Sequence, residues 1–227
     1  VSATTVIYSS SFVGSVRCVF EKVPDPGLLG APHVMLDFRG PEINPPTKTP
    51  THPCIRSEAP QNPTTTKGTI MREVTFAATQ MACSKNSKDN IDKAVNIIES
   101  AAKKGANVVL IQELFETQYF CKDQKEELFE LAKPFEDNPT IHLMSQVAKD
   151  NNVVLPVSFF EKSNKAHFNT IAMIDSDGTI MGRYRKSHIP DGPGYQEKFY
   201  FNPGNTGFKV WDTKFCKVGV GICWDQW

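Results

Sequence analysis

The chain has 227 residues, enough for one or two domains with a sizeable core. Lysine plus arginine and aspartate plus glutamate both count 25, so the formal net charge is +0 and no strong field draws nucleic acid or an anionic membrane. The longest apolar runs, such as Val153-Val154-Leu155-Pro156-Val157, fall far short of the roughly 20 residues that span a bilayer. Nothing at the start pairs a basic flank with an apolar core as a secretory signal does, and six dispersed cysteines form no CxxC pair. These features predict a cytoplasmic protein with free thiols, and with neither a nucleic-acid nor a membrane partner.

Ten of the 16 prolines precede residue 71, in stretches such as Asn44-Pro45-Pro46-Thr47-Lys48-Thr49-Pro50 with no sustained period. Such a segment donates too few backbone hydrogen bonds and buries too little apolar surface to offset its chain entropy, so residues 1–70 are expected to be a mostly disordered extension. Glu21, Asp25, Asp37, Glu42 and Glu58 argue against a transit peptide. The chain begins at Val1, and the first persuasive strand follows Met71, which makes Met71 the expected initiator and the preceding residues upstream sequence.

From Met71 onward, strand and helix patterns alternate. Val74, Phe76 and Ala78 against Thr75, Ala77 and Thr79 predict a strand. Ile91, Ala94, Val95, Ile98, Ala101 and Ala102 recur at helical spacing, behind Asn86, Ser87 or Asp89 as candidate caps, and stop before Gly105. Val108-Val109-Leu110-Ile111 reads as a strand buried on both faces. Helical stretches follow at 123–133 and 141–150, then a strand at 153–159 whose Pro156 suggests an edge or bulge. Strands at 168–174 and 179–185 flank the turn Asp175-Ser176-Asp177-Gly178. A last pair, 208–211 and 217–222, leaves Cys223 just past its end. The alternation predicts a mixed α/β fold in which a sheet is layered with helices.

Three positions could carry chemistry. Glu113 lies at the end of the buried run, where desolvation turns a carboxylate into a usable base, although a glutamate at a strand end is commonly solvated. Lys186 ends Arg183-Tyr184-Arg185-Lys186, which taken alone reads as a solvated edge strand. Cys223 follows Val218-Gly219-Val220-Gly221-Ile222, where glycines permit a sharp turn that presents the thiol beside a free backbone N–H, the logic of a nucleophile elbow. His33, His52, His142 and His167 are scattered without zinc-ligand spacing, and His188 reads as packing or loop hydrogen bonding.

Together, Leu110-Ile111-Gln112-Glu113-Leu114-Phe115, Tyr184-Arg185-Lys186-Ser187-His188-Ile189-Pro190 and Gly219-Val220-Gly221-Ile222-Cys223-Trp224-Asp225 resemble the Glu-Lys-Cys signature of the nitrilase superfamily of carbon–nitrogen hydrolases. Gln118-Tyr119-Phe120-Cys121 and the loop from Asp191 to Gly204 are similar to the branch that acts on N-carbamoylputrescine. The resemblance runs from Met71 to Trp227 and implies an α-β-β-α sandwich, of which residues 71–227 would be the N-terminal part. It implies Cys223 as nucleophile, Glu113 as general base and later acid, Lys186 beside the oxyanion, and Glu197 as a second glutamate orienting the lysine. Tyr119 and Trp224 would meet the substrate, with no metal and no cofactor.

The implied reaction yields putrescine, carbon dioxide and ammonia, in a homo-oligomer whose small-molecule substrate is N-carbamoylputrescine. Another carbamoyl or ω-amide substrate is the alternative. Because the family's domain continues through further strands and helices beyond the cysteine motif, a second expectation is an incomplete, inactive form that only associates with full-length subunits.

Overall fold

The computed structural model describes residues 72–226 and, before them, the backbone of three strands, β1 (Thr4–Phe12), β2 (Ser15–Phe20) and β3 (Leu36–Arg39). Outside those strands, the expected disorder of residues 1–70 concerns residues that lie outside the described ones.

The next strand, β4 (Arg72–Gln80), alternates as its period of two dictates, with Val74 and Phe76 packed on one side and Ala77 on the other. Helix α1 (Ser87–Lys103) starts where Asn86 turns its side chain onto the Lys88 N–H at 3.0 Å, and Gly105, at φ +91°, carries the chain away from its end. Ala94, Ile97, Ile98 and Ala101 are its buried stripe. Strand β5 (Val108–Leu110) is buried throughout and runs parallel to β4, with Phe76 opposite Val108 and Ala78 opposite Leu110.

The segment expected as a helix over 123–133 forms a 3-10 turn instead, Glu126–Leu131, after a shorter one at Phe120–Lys122. Its backbone bonds close over three residues, as in Leu128 N–H to Lys125 and Ala132 N–H to Phe129. Two constraints end it. Leu128, Phe129 and Leu131 turn into an aromatic cluster, and Lys133, which precedes Pro134, leaves the helical region to exchange backbone bonds with Phe160 and Lys162 at 3.0 and 2.9 Å. A full helix does form as α2 (Pro139–Asn151), capped by Asn138, which accepts from the Thr140 and Ile141 N–H groups, with Pro139 in the first turn and left-handed Asn152 at its end.

Strands β6 (Leu155–Ser163), β7 (Ala166–Ile174) and β8 (Ile180–Arg185) make an antiparallel meander. Gly178, at φ +88°, closes the expected turn with its N–H on the Asp175 carbonyl at 2.9 Å. Pro156 sits on β6, an end strand of that meander. A parallel bridge between Val108 and Val154 joins β5 to the start of β6. The last strands, β9 (Val210–Asp212) and β10 (Lys217–Ile222), pair antiparallel, with Val218 opposite Trp211. On the backbone, β1 pairs antiparallel with β4, β2 parallel with β10, and β3 antiparallel with β2.

Side chains sort these elements into layers. Both helices bury their stripes against Ala77, Val109, Ile111, Leu155, Val157 and Ala172 on one face of the β4 to β8 surface. The opposite face, with Val74, Phe76, Val108, Ile171, Met173 and Tyr184, packs on Trp211, Val218, Val220 and Ile222 of the second sheet. Strands sandwiched in this way are buried on both sides, which explains the unbroken apolar runs. The described residues thus supply helix, sheet and sheet, three of the four expected layers. Among them, no helix is long and apolar enough to cross a membrane.

One glycine ties this frame to the loop after β8. The Gly204 N–H donates to the Lys186 carbonyl at 2.7 Å, and a Cβ on Gly204 would collide with the Arg185 carbonyl oxygen. Gly204→Ala should therefore cost about 1–3 kcal/mol through forced backbone movement. Gly207→Ala, which meets open space at φ +65°, should cost about 1 kcal/mol from backbone strain. Thermal unfolding of the two variants checks the order, and an equal loss would show that the close approach is not a constraint.

Candidate active site

Lys186 and Cys223 stand immediately after β8 and β10, and Glu113 lies three residues past the end of β5. After Glu113 the chain reverses through Leu114, held at φ +48°, whose N–H donates to the buried Ser158 Oγ at 2.9 Å. That reversal keeps the carboxylate inside: Glu113 is 1% exposed and Lys186 0%. The solvated readings of the glutamate and of the basic run are therefore overturned, because Tyr184 and Arg185 are buried with Lys186. Arg185 is neutralised separately, by a two-pronged pair with Glu161 at 2.6 and 2.8 Å and by stacking on Phe168.

The buried polar groups form one chain of bonds. Asn169 Nδ2 donates to Glu113 Oε1 at 2.5 Å, and Lys186 Nζ reaches the same oxygen at 3.2 Å. Lys186 Nζ also donates to Glu197 Oε2 at 2.6 Å, and Tyr119 OH donates to Glu197 Oε1 at 2.8 Å. Two carboxylates thus share one ammonium away from water. Burial, with repulsion from Glu113, pushes Glu197 up to about 7 against the pull of Lys186 and Tyr119. For Lys186, burial disfavours the charge, but attraction from Glu113, Glu197 and Cys223 outweighs it and holds the pKa above the ordinary lysine range. Tyr119 stays a phenol, since burial and the Glu197 charge both disfavour its ionised form.

An aromatic cluster holds the loops that supply Tyr119 and Glu197. Phe120 stacks on Phe160 at 5.2 Å and meets Tyr200 edge-on at 5.0 Å, while Phe160 meets Phe201 edge-on at 5.0 Å. The Tyr200 hydroxyl donates to the Asp123 carbonyl at 2.6 Å, and the Gln196 N–H donates to the Cys121 carbonyl at 2.7 Å. The loop before Glu197 is thereby fastened to the turn after Tyr119.

At the end of β10 the chain turns through Cys223, at φ +47°, into the 3-10 turn Cys223–Gln226. A left-handed non-glycine residue costs about 1–2 kcal/mol and needs a restraint. Asp225 supplies one. Its Oδ2 accepts from the Ile222 N–H at 2.9 Å and from Tyr184 OH at 2.7 Å. Its Oδ1 accepts from the Ser187 and His188 N–H groups at 3.2 and 3.0 Å and lies 2.9 Å from His188 Nδ1. A single carboxylate therefore fastens the cysteine turn to the chain leaving Lys186, and the Cys223 sulfur comes within electrostatic reach of the Lys186 ammonium. His188 has the loop hydrogen-bonding place expected of it.

The structure brings Glu113, Lys186, Glu197 and Tyr119 into one bonded chain with Cys223 beside it, and leaves Trp224 41% exposed on the turn. Sequence reasoning did not assign Asn169 or the anchoring role of Asp225. An amide inside the apolar strand 168–174, and an aspartate two residues past a predicted sharp turn, were the available signals. A separate cavity of about 150 Å³ borders Leu114, Phe120 and Phe160, beside a Glu116–Lys133 pair at 2.6 Å.

Residues 75–227 match the family described as carbon-nitrogen hydrolase. An N-carbamoylputrescine amidase from Oryza sativa subsp. japonica is 60% identical over 155 residues, which are 68% of this chain and 52% of that protein. A citrullinase from Francisella tularensis is 53% identical over 157 residues, 69% of this chain and 55% of that one. This chain thus spans about half the length of the curated relatives it matches. Among solved structures, a carbon-nitrogen hydrolase from Helicobacter pylori G27 superposes with a TM-score of 0.64 at 39% identity, covering 68% of this chain and 53% of that one. The strand-end trio, the layered α/β frame and these matches agree, and the chain belongs to the carbon–nitrogen hydrolase family of the nitrilase superfamily, with that superfamily's fold.

Proposed function

We propose that Cys223, Glu113 and Lys186 hydrolyse the ureido group of N-carbamoylputrescine. The observation that carries this reading is the buried Glu113–Lys186–Glu197 chain of charges set beside a left-handed cysteine. A ureido carbonyl is a poor electrophile, so it calls for an activated nucleophile together with charge stabilisation at the oxygen. Glu113 takes the thiol proton as Cys223 sulfur bonds to the carbamoyl carbon, and Lys186 with the Trp224 backbone N–H meets the developing oxyanion. The bond to the terminal nitrogen then breaks, and ammonia leaves with the proton held by Glu113. The same carboxylate takes a proton from water, whose oxygen attacks the thioester-like intermediate and frees the thiol. The carbamate released decomposes to carbon dioxide and putrescine.

The plant relative at 60% identity supports the diamine substrate. The citrullinase relative at 53% supports a second reading, in which the ureido group is carried by an amino acid. Both substrates share the reacting carbonyl and differ at the far end. Each carboxylate nearest the first reading is already paired, Glu197 with Lys186 and Glu116 with Lys133, so neither stands ready as the sole counter-ion for a substrate ammonium.

Ammonia release by this chain from N-carbamoylputrescine and from citrulline, compared as kcat/KM, tests the assignment. The diamine substrate should be preferred, and preference for citrulline would replace it with the second reading. Cys223→Ser should lower turnover by about a thousandfold or more while leaving thermal unfolding unchanged. Retained turnover would remove Cys223 from the role of nucleophile.

Tyr119→Phe removes a donor that favours ionised Glu197, so that group should protonate above its present value of about 7. At neutral pH more of Glu197 would be neutral, leaving Lys186 with one charged neighbour instead of two. Turnover should fall near pH 7 and recover at higher pH. A loss independent of pH would assign the phenol to substrate contact instead.

A further inference from the structure

We propose that Asn169 is a positioning residue of this centre, holding the Glu113 carboxylate in place through its side-chain amide. The inference rests on the reading of Glu113 as the base that takes the thiol proton. Asn169 lies on β7 opposite Phe160 of β6, fully buried in a strand where Phe168, Ile171 and Ala172 are apolar and the buried Thr170 donates to Glu161. Packing alone gives no reason for an amide there.

Its two ends grip two members of the site. The side-chain Nδ2 donates to Glu113 Oε1 at 2.5 Å, and the backbone carbonyl accepts from the Lys186 N–H at 2.9 Å. One strand residue therefore sets the carboxylate and the start of the lysine side chain in a common frame. The other donor to that carboxylate oxygen, Lys186 Nζ, is shared with Glu197 and sits farther away at 3.2 Å.

The other half of the amide is informative too. Asn169 Oδ1 is buried and has no hydrogen-bond partner among the described residues. Leaving a buried acceptor unpaired is costly, so the orientation must be held by what Nδ2 gains. Turned over, the amide would set oxygen against the Glu113 oxygen, acceptor against acceptor. The amide thus meets the Glu113 carboxylate as a donor, which fixes where that oxygen points. Asn169 keeps the Glu113 carboxylate in one place within the site.

The test reads thiol activation separately from substrate turnover. Alkylation of Cys223 by iodoacetamide is followed by peptide mass spectrometry across mildly acidic to mildly basic pH, beside ammonia release from N-carbamoylputrescine. Asn169→Asp preserves shape but places a second anion next to Glu113. It should slow Cys223 alkylation at neutral pH about tenfold and shift the acidic limb upward by about one pH unit. Asn169→Ser, which removes the donor without adding charge, should shift the limb in the same direction by less. Unchanged profiles, or a loss equal at every pH, would overturn the proposal, as would failure of both variants to fold. If the unaltered chain releases no ammonia yet the alkylation profiles shift as stated, the substrate reading fails and the positioning role stands.

Discussion

The ammonium of Lys186, withdrawn from water between Glu113 and Glu197, is the interaction around which the rest is arranged. A lone buried ammonium would shed its proton, and two adjacent buried carboxylates would hold one in common. Their combination keeps the lysine charged and leaves Glu197 near neutrality in its titration. The three members come from a strand end, a second strand end and a loop, so none of these elements can shift without exposing an uncompensated charge, a loss far larger than that of a surface pair.

The sandwich supplies the dryness that this arrangement needs. Helices cover one face of the β4 to β8 surface and the second sheet covers the other, leaving the strand ends as the place where polar groups meet. The aromatic cluster of Phe120, Phe160, Tyr200 and Phe201 seals a flank of that place and sets the distance between Tyr119 and Glu197. Packing and electrostatics act together here, since the hydrogen bonds are strong because the surroundings exclude water.

Much of this was legible in the sequence where local rules suffice. The cap of α1, the Asp175–Gly178 turn and the buried run at Val108 follow from side-chain chemistry and period, and the structure keeps them. The segment 123–133 was misread because its helical spacing of leucines and phenylalanine serves an aromatic cluster, a tertiary demand that a window of eleven residues does not contain. The roles of Asn169 and Asp225 were hidden for a related reason. Each acts on residues far along the chain, Glu113 in one case and Tyr184 to His188 in the other, and only folding supplies those partners. The trio itself was readable through family resemblance, whereas its solvent exposure was not, because the bland local reading of a basic strand end is a wet one.

The Asp225 carboxylate has a kinematic consequence. A centre assembled from three strand ends has three separate sources of thermal jitter, and a reaction across it is sensitive to their differences rather than to their sum. By holding Ile222 with one oxygen and Ser187 and His188 with the other, Asp225 makes the cysteine turn and the lysine loop travel together. Motion that carries both leaves the sulfur-to-ammonium spacing unchanged, so the pair stays in register.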